Sequence, residues 1–161
     1  MEWDSVAEPL SFRWAQAGDF QDVLNLASQL AVQIESAVPP LTPGRFEKFH
    51  VGDGAPMHLL LAVRGGRIAG MVSWILTHEL YSADARVYIS DICVSKSARG
   101  QGVGAALMAQ VKDWARANGA QKLGWEIWHR NFAAKAFYES LGAQADDEAI
   151  AYVLALDDGA V

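Results

Sequence analysis

The chain has 161 residues, of which 52% are hydrophobic and 20% charged, so it can bury a core of its own and is not expected to be disordered. Its formal net charge of −6 disfavours nucleic acid as a partner, because such binding begins with Lys and Arg against phosphates. Its one cysteine, Cys93, provides neither a disulfide framework nor a cysteine-based metal site, and no apolar run is long enough to span a membrane. We therefore expect one cytoplasmic domain over residues 1–161, with a core from about 12 to 156, no metal and no membrane contact.

The first third of the chain predicts a short strand and two helices. Phe12 and Trp14 alternate as in a strand, and Asp19 is a plausible cap for a helix whose apolar residues recur every three or four positions. Two consecutive prolines then break this helical pattern. Thr42, followed by Pro43, predicts the cap and first turn of a second short helix.

Three strand-like runs follow, and they predict an antiparallel meander. The runs cover Met57–Val63, Ile68–Thr77 and Arg86–Val94. The turn between the first two contains Gly65 and Gly66, which is a strong hairpin signal.

The last third alternates between helices and strands. Apolar residues recur with a helical period from Val103 to Trp114, and a buried strand is expected at Leu123–Ile127. Because a helix separates this strand from the preceding one, the two can lie parallel. A second helix is predicted at Phe132–Ser140 and a last strand at Ile150–Leu156. The fold class is therefore α/β (α+β) with a mixed sheet.

The most informative segment is Arg99-Gly-Gln-Gly-Val-Gly104, which joins a strand to a helix through a glycine-rich turn. The N-terminus of a helix has unpaired N–H groups and a partial positive charge, so phosphates bind there. Glycines let a pyrophosphate approach the backbone, and Arg99 can add a charge-assisted contact. The segment lacks the lysine of a P-loop and the third glycine of a dinucleotide-binding fingerprint.

Two motifs resemble those of the GNAT superfamily of N-acetyltransferases. The glycine-rich segment looks like its first signature, and Asn131-Phe-Ala-Ala-Lys-Ala-Phe-Tyr138-Glu-Ser-Leu-Gly142-Ala is similar to its second. The pattern is nearest to diamine-acetyltransferase-like members that act on small molecules. The resemblance implies a mostly antiparallel sheet of six to seven strands with a splayed parallel pair, about four flanking helices, and acetyl-CoA as cosubstrate.

The same resemblance implies which residues bind acetyl-CoA. The pantetheine would bond to the backbone of one strand end, and the pyrophosphate to amides of the glycine-rich turn, with further contacts from the second motif. The expected cofactor-binding residues are Ile92, Cys93, Val94, Arg99, Gly100, Gln101, Gly102, Val103, Gly104, Ala105, Asn131, Ala134 and Tyr138.

Catalysis in the resembled family is direct attack of an amine on the thioester, without a covalent enzyme intermediate. Tyr138 is the expected acid for the departing sulfur, and a backbone N–H near Val94 would hold the developing oxyanion. The base is left open between Asp91, Glu126 and His129, since the glutamate of the diamine subgroup falls on Ser90 here.

The predicted function is acetyl transfer from acetyl-CoA to a primary amine of a small molecule. Two alternatives stay open: acetylation of a protein N-terminus or lysine, and acyl-CoA binding by a non-catalytic regulatory domain. A homodimer is compatible with the resemblance, and the acceptor amine is not specified by the sequence.

Overall fold

The computed structural model describes residues 8–156 of the protein, which form nine regular elements. Their order is strand, two helices, three strands, helix, strand and helix. The bounds are β1 (Ser11–Trp14), α1 (Phe20–Gln33), α2 (Pro43–His50), β2 (His58–Arg64), β3 (Arg67–His78), β4 (Ala85–Val94), α3 (Val103–Ala117), β5 (Ala120–Gly124) and α4 (Phe132–Ser140).

The chain divides into two compact units. The first ends at Asn131 and contains the whole sheet with α1, α2 and α3, whereas the second begins at Phe132 and contains α4. Over residues 8–156, no helix has both the length and the apolar character needed to cross a bilayer.

The five strands form one mixed sheet in the order β1-β2-β3-β4-β5. Strands β1 to β4 pair antiparallel with their neighbours, which confirms the predicted meander. Strands β4 and β5 pair in parallel, with α3 as the crossover between them, as the sequence predicted. The α/β class with a mixed sheet is therefore confirmed.

The core of the first unit has a layer on each face of the sheet. On one face, Leu61 and Met71 of the sheet pack in a cluster with Leu26 of α1 and Phe46 of α2, and Phe46 is fully buried. On the other face, Trp74 of β3 packs edge-on against Trp114 of α3, with ring centroids 5.4 Å apart. Helices on both faces thus hold the sheet between them.

An ion pair ties β1 to the start of α1. The Arg13 guanidinium donates two hydrogen bonds to the Asp19 carboxylate, at 2.7 and 2.8 Å, and the Gln16 backbone N–H donates a third at 2.8 Å. Asp19 is the N-cap residue of α1, as predicted, but its side chain makes no capping hydrogen bond to that helix. Its carboxylate instead closes the turn that leads into the helix.

The predicted bounds of the fifth strand are wrong. The strand begins at Ala120, because Gly119 adopts a positive φ of 77° and turns the chain directly out of α3. It ends at Gly124, where pairing with β4 also ends. The apolar alternation that continues to Ile127 therefore lies outside the sheet, and Ile127 is exposed.

The predicted last strand at Ile150–Leu156 is also wrong. These residues form no strand, and their large apolar side chains are exposed. The physical reason is that alternation alone supplies no partner, and an unpaired strand has no ladder of hydrogen bonds to stabilise it. Residues 8–156 thus contain five strands where six to seven were expected, and the four predicted helices.

We expect Asp19→Asn to lower the free energy of unfolding by about 1–2 kcal/mol, because two charge-assisted hydrogen bonds are weakened. The hydrogen bonds from Arg13 hold the pKa of Asp19 below its usual value of 3.8. Its contribution is therefore present at neutral pH and is lost as the pH falls below about 4. Urea unfolding at pH 7 and pH 3 measures both effects.

Asp113→Asn is the control for this prediction, because Asp113 makes an exposed ion pair with Arg116 on α3. Exposed pairs contribute little, so this change should leave stability almost unaltered at both pH values. Equal stability of Asp19→Asn and the unmodified protein at pH 7 would contradict the role given to the Arg13–Asp19 pair.

Candidate functional site

Strand β4 contains one extra residue, Ser90, relative to its neighbour β3. Ser73 pairs with Asp91 and Trp74 pairs with Ile89, so two steps along β4 oppose one step along β3. Residues two apart in a regular strand share a face, and an extra residue reverses that alternation. The bulge therefore separates the face of Ile89 from that of Asp91.

The reversal places Asp91 on the α1 face of the sheet. Ile89 pairs with Trp74, which packs on α3, whereas Asp91 pairs with Ser73 on the opposite face. Two hydroxyls donate to the carboxylate Oδ2 of Asp91, Ser90 at 2.9 Å and Ser73 at 3.4 Å. Asp91 is thereby an oriented and exposed carboxylate beside the bulge.

The far end of β4 extends beyond its parallel partner. The last pair between β4 and β5 is Tyr88 with Gly124, so the predicted pantetheine segment Ile92–Val94 lies past the end of β5. An extended ligand can add to such a strand end through main-chain hydrogen bonds.

The glycine-rich turn leads into α3 as predicted. Gly102 is the residue before the helix and has a left-handed φ of 78°, and Gly100 has φ 72°. Among residues 8–156, no side chain caps the helix, and a Cβ at either glycine would meet none of their atoms within 4 Å. The helix N-terminus therefore offers backbone N–H groups beside open space, which suits a phosphate.

Gly70 of β3 brings this helix terminus close to the sheet. A Cβ at Gly70 would lie 2.9 Å from the Cys93 carbonyl oxygen and 3.1 Å from side-chain atoms of Val103 and Leu107. Only a glycine permits this approach without displacement. The absence of a side chain at Gly70 thus allows the N-terminus of α3 to lie close to the end of β4.

Two side chains of the turn hold the loop in place. Arg99 donates from Nε to the Val94 carbonyl at 3.1 Å. Gln101 accepts from Arg64 at 2.7 Å and donates to the Ser97 carbonyl at 2.9 Å. These contacts connect the turn to β4 and β2, while Val103 is buried and Gly104 and Ala105 continue the first turn of α3.

Cys93 contributes its backbone, and not its thiol, to the end of β4. The side chain is 3% exposed, and its Sγ lies 3.3 Å from the Leu26 carbonyl of α1. Burial raises the pKa of the thiol to about 11. The thiol is therefore protonated and unreactive at neutral pH.

A cavity of about 450 Å³ lies on the α1 face of the sheet. Its wall includes Asp91 and Ser73 of the bulge region together with Arg45 and His50 of α2. Arg45, His50 and Ser73 were not predicted as site residues from the sequence. The helical spacing from the buried Phe46 to His50 was the available signal, since residues four apart share a helix face.

His50 is the buried polar group of this cavity. Its Nδ1 is shielded from solvent and makes no hydrogen bond within residues 8–156. Burial lowers the pKa of His50, and the nearby charge of Asp91 offsets this only in part. The imidazole is therefore neutral at neutral pH and faces the same cavity as the carboxylate.

The remaining base candidates lie outside regular structure. Glu126 is exposed and follows the end of β5, so its side chain is not oriented by the sheet. Burial, and then the charges of Glu126 and Asp91, raise the pKa of Tyr88. His129 is exposed and stacks edge-on with Trp128 at 5.7 Å.

The second unit holds the residues of the second motif that follow Asn131. Tyr138 and Ala134 lie on α4, and the Tyr138 ring packs against Phe137 at 5.1 Å. Burial raises the pKa of Tyr138 to about 12, so the phenol stays protonated throughout the physiological range. Asn131 is the last residue of the first unit.

Between residues 8 and 156, no three His, Cys, Asp or Glu side chains come together as a set that could hold a metal ion.

The sequence profile of the acetyltransferase (GNAT) family matches residues 21–143, which is most of the chain. This range contains the bulge, the glycine-rich turn and Tyr138.

Solved structures similar to this fold come from several sources. An aminoglycoside acetyltransferase from an uncultured soil metagenomic sample is 16% identical, with a TM-score of 0.75 over 92% of this chain and 97% of that one. A ribosomal-protein-alanine N-acetyltransferase from Brucella melitensis is 19% identical, with a TM-score of 0.73 over 92% and 99%. A transcriptional regulator from Bacillus halodurans is 23% identical, with a TM-score of 0.76 over 91% and 100%.

Because β4 directs the buried Cys93 side chain towards α1, we expect its thiol to resist thiol reagents in the folded protein. At pH 8, an aromatic disulfide reagent should react at least about a hundredfold more slowly with the folded chain than with the chain unfolded in guanidinium, because burial disfavours the thiolate. Cys93 is the only cysteine, so the released chromophore reports on it alone.

Ser97→Cys supplies an exposed thiol in the adjoining loop as a control, and it should react rapidly in the folded protein. Rapid modification of Cys93 in the folded, unmodified chain would show that its side chain does not face α1.

Proposed function

The chain belongs to the acetyltransferase (GNAT) family of N-acetyltransferases, and from this we propose that it moves the acetyl group of acetyl-CoA to a primary amine of a small molecule. The observation that carries the proposal is the arrangement at the end of β4. An uncapped helix N-terminus adjoins this strand end, and an oriented carboxylate on the same strand lines a cavity.

The glycine-rich turn is the proposed site for the pyrophosphate of acetyl-CoA. Positive φ at Gly100 and Gly102 presents the backbone without side chains, and the dipole of α3 favours negative charge at this end. The Nε of Arg99 donates to the Val94 carbonyl, so the two terminal nitrogens of the guanidinium can bind a phosphate. The proposed contacts are the amides of Arg99, Gly100, Gln101, Gly102, Val103, Gly104 and Ala105.

The end of β4 is the proposed site for the pantetheine arm. Backbone groups of Ile92, Cys93 and Val94 would bond to it as a neighbouring strand does. Asn131 and Ala134 would add contacts from the second motif. A backbone N–H near Val94 would hold the partial negative charge that develops on the thioester oxygen.

Asp91 and Glu126 are the proposed groups that accept a proton from the incoming ammonium. An alkylamine is mostly protonated at neutral pH, and only the neutral amine attacks a carbonyl carbon. Asp91 lines the cavity and accepts two hydroxyl hydrogen bonds that fix its carboxylate. In the reaction a C–N bond forms, the C–S bond breaks, and the proton of the amine passes to the base.

Tyr138 is the proposed donor to the departing sulfur. With a pKa of about 12, the phenol keeps its proton at working pH and can donate a hydrogen bond to the thiolate as it forms. Because a thiol has a reference pKa near 8.5, complete transfer of the proton from so weak an acid is uphill. We therefore assign Tyr138 to stabilising the charge on sulfur.

The volume of the cavity supports a small molecule over a polypeptide acceptor. The cavity is bounded by α1, by the connection from α1 to α2, and by β3 and β4. A protein terminus or lysine needs an open groove, and a pocket with a volume of about 450 Å³ fits an acceptor of limited size.

We expect Tyr138→Phe to reduce CoA release from acetyl-CoA by about a hundredfold for any amine that is turned over, because the hydrogen bond to the leaving sulfur is lost. A thiol-detecting dye measures the released CoA. The activity of the unmodified protein should show no loss below pH 10 that is due to ionisation of Tyr138.

Tyr152→Phe is the matched control, because Tyr152 is exposed and outside regular structure. It should leave the rate unchanged. Equal rates for Tyr138→Phe and Tyr152→Phe would remove Tyr138 from the mechanism without affecting family membership.

We expect Gly102→Ala to weaken acetyl-CoA binding at least tenfold, because a side chain at a left-handed position strains the turn and occupies the space beside the amides. Isothermal calorimetry measures the affinity. Gly119→Ala is the matched control, since Gly119 has almost the same φ, 77°, also meets no atom within 4 Å, and lies at the opposite end of α3.

Both variants should lose about 1–2 kcal/mol of stability, but only Gly102→Ala should lose affinity. Equal loss of affinity in the two variants would assign the effect to general destabilisation, and the proposed pyrophosphate site would be wrong.

A further inference from the structure

The wall of the cavity on the α1 face is largely apolar. Of its 17 lining residues, 12 are apolar, and they come from α1, the connection to α2, and strands β2 and β3. Burial of apolar ligand surface against such a wall is favourable, whereas burial of a second charged group there is costly. The wall therefore suits the body of a ligand that is hydrocarbon in character.

The charged residues of the same wall are one anion and one cation. Asp91 is the anion, at the bulge of β4, and Arg45 is the cation, on α2. The Arg45 side chain is exposed and makes no hydrogen bond or ion pair with residues 8–156, so its charge is not neutralised by a neighbour. His50 adds a neutral imidazole, since burial lowers its pKa.

From these features we infer that the acceptor is a primary monoamine with an apolar body, and that Arg45 selects against amines with a second positive charge. The inference rests on the proposed acetyl transfer and specifies its substrate class. The ammonium of the acceptor lies at Asp91 and its apolar body along the wall formed by α1 and the following connection.

A polyamine or an aminoglycoside fits this wall poorly. Among the described residues, the wall has a single carboxylate. It can pair with one ammonium group of a ligand but not with a second. A second ammonium meets either the hydrocarbon wall or the field of Arg45, and both contacts are unfavourable. Charge complementarity thus favours a monocation.

Two amines of equal length test the inference, hexylamine and 1,6-diaminohexane, which differ in their far end. The measurement is kcat/KM for CoA release at saturating acetyl-CoA. We expect the unmodified protein to prefer hexylamine by roughly tenfold, because the far ammonium meets either the apolar wall or the like charge of Arg45.

Arg45→Glu provides the decisive comparison. Thr42 accepts a hydrogen bond from the Arg45 backbone N–H at the start of α2, so a glutamate at this position completes a capping box and should leave the helix intact. The preference for hexylamine should fall to about twofold or reverse, because the glutamate attracts the far ammonium.

Lys48→Glu is the matched control. Lys48 lies on the same helix, is exposed and does not line the cavity, and its replacement makes the same change in net charge. The amine preference of this variant should stay within about twofold of the unmodified protein. An equal change in both variants would indicate a general effect of charge and would overturn the role of Arg45.

Failure of this inference can be separated from failure of the proposed function. Efficient acetylation of 1,6-diaminohexane, at or above the rate for hexylamine, would overturn the inference and leave the acetyltransferase proposal standing. Calorimetric titration of each amine into the protein with CoA present tests the cavity without turnover. Tenfold tighter binding of hexylamine with no CoA release from acetyl-CoA would support the cavity assignment and overturn the proposed function.

Discussion

The candidate site depends on one extra residue in β4. Ser90 interrupts the alternation of the strand, so that Ile89 joins the α3 layer while Asp91 and Cys93 turn towards α1. Without it, these three side chains would share a face, and a carboxylate would be directed into an apolar layer at high cost. The bulge thus allows one strand to contribute both to the core and to a polar site.

The second constraint is that the site is built mostly from backbone. The turn before α3 offers N–H groups at a helix terminus, and the end of β4 offers a strand edge past the last pair with β5. Backbone groups have fixed directions once the fold forms, so they need no side-chain ordering to bind a ligand. In the proposed function, side chains such as Arg45 and Asp91 of the cavity select among acceptors.

Much of the fold could be predicted from local signals in the sequence. Helical periodicity predicted α3. Thr42 and Pro43 predicted the start of α2, and the glycine pair predicted the turn between β2 and β3. The strand predictions were wrong where the local sequence pattern and the strand pairing of the folded protein disagree. Ile127 continues an apolar alternation, but the partner strand pairs only as far as Gly124. The bulge at Ser90 and the approach of His50 to Asp91 depend on pairing register and helix docking, which one sequence does not encode legibly.

Gly70 links the stability of the fold to the chemistry of the site. It lies within the sheet, on a strand that bears none of the expected cofactor-binding residues, yet any side chain there would press on the Cys93 carbonyl and on α3. A substitution at this position would shift the helix terminus away from the strand end. Over evolutionary time, the position should therefore tolerate as little variation as the glycines of the turn, although it is not among the proposed cofactor-binding residues. Sequence drift in this protein is thus restricted at Gly70, a residue that does not belong to the proposed binding surface.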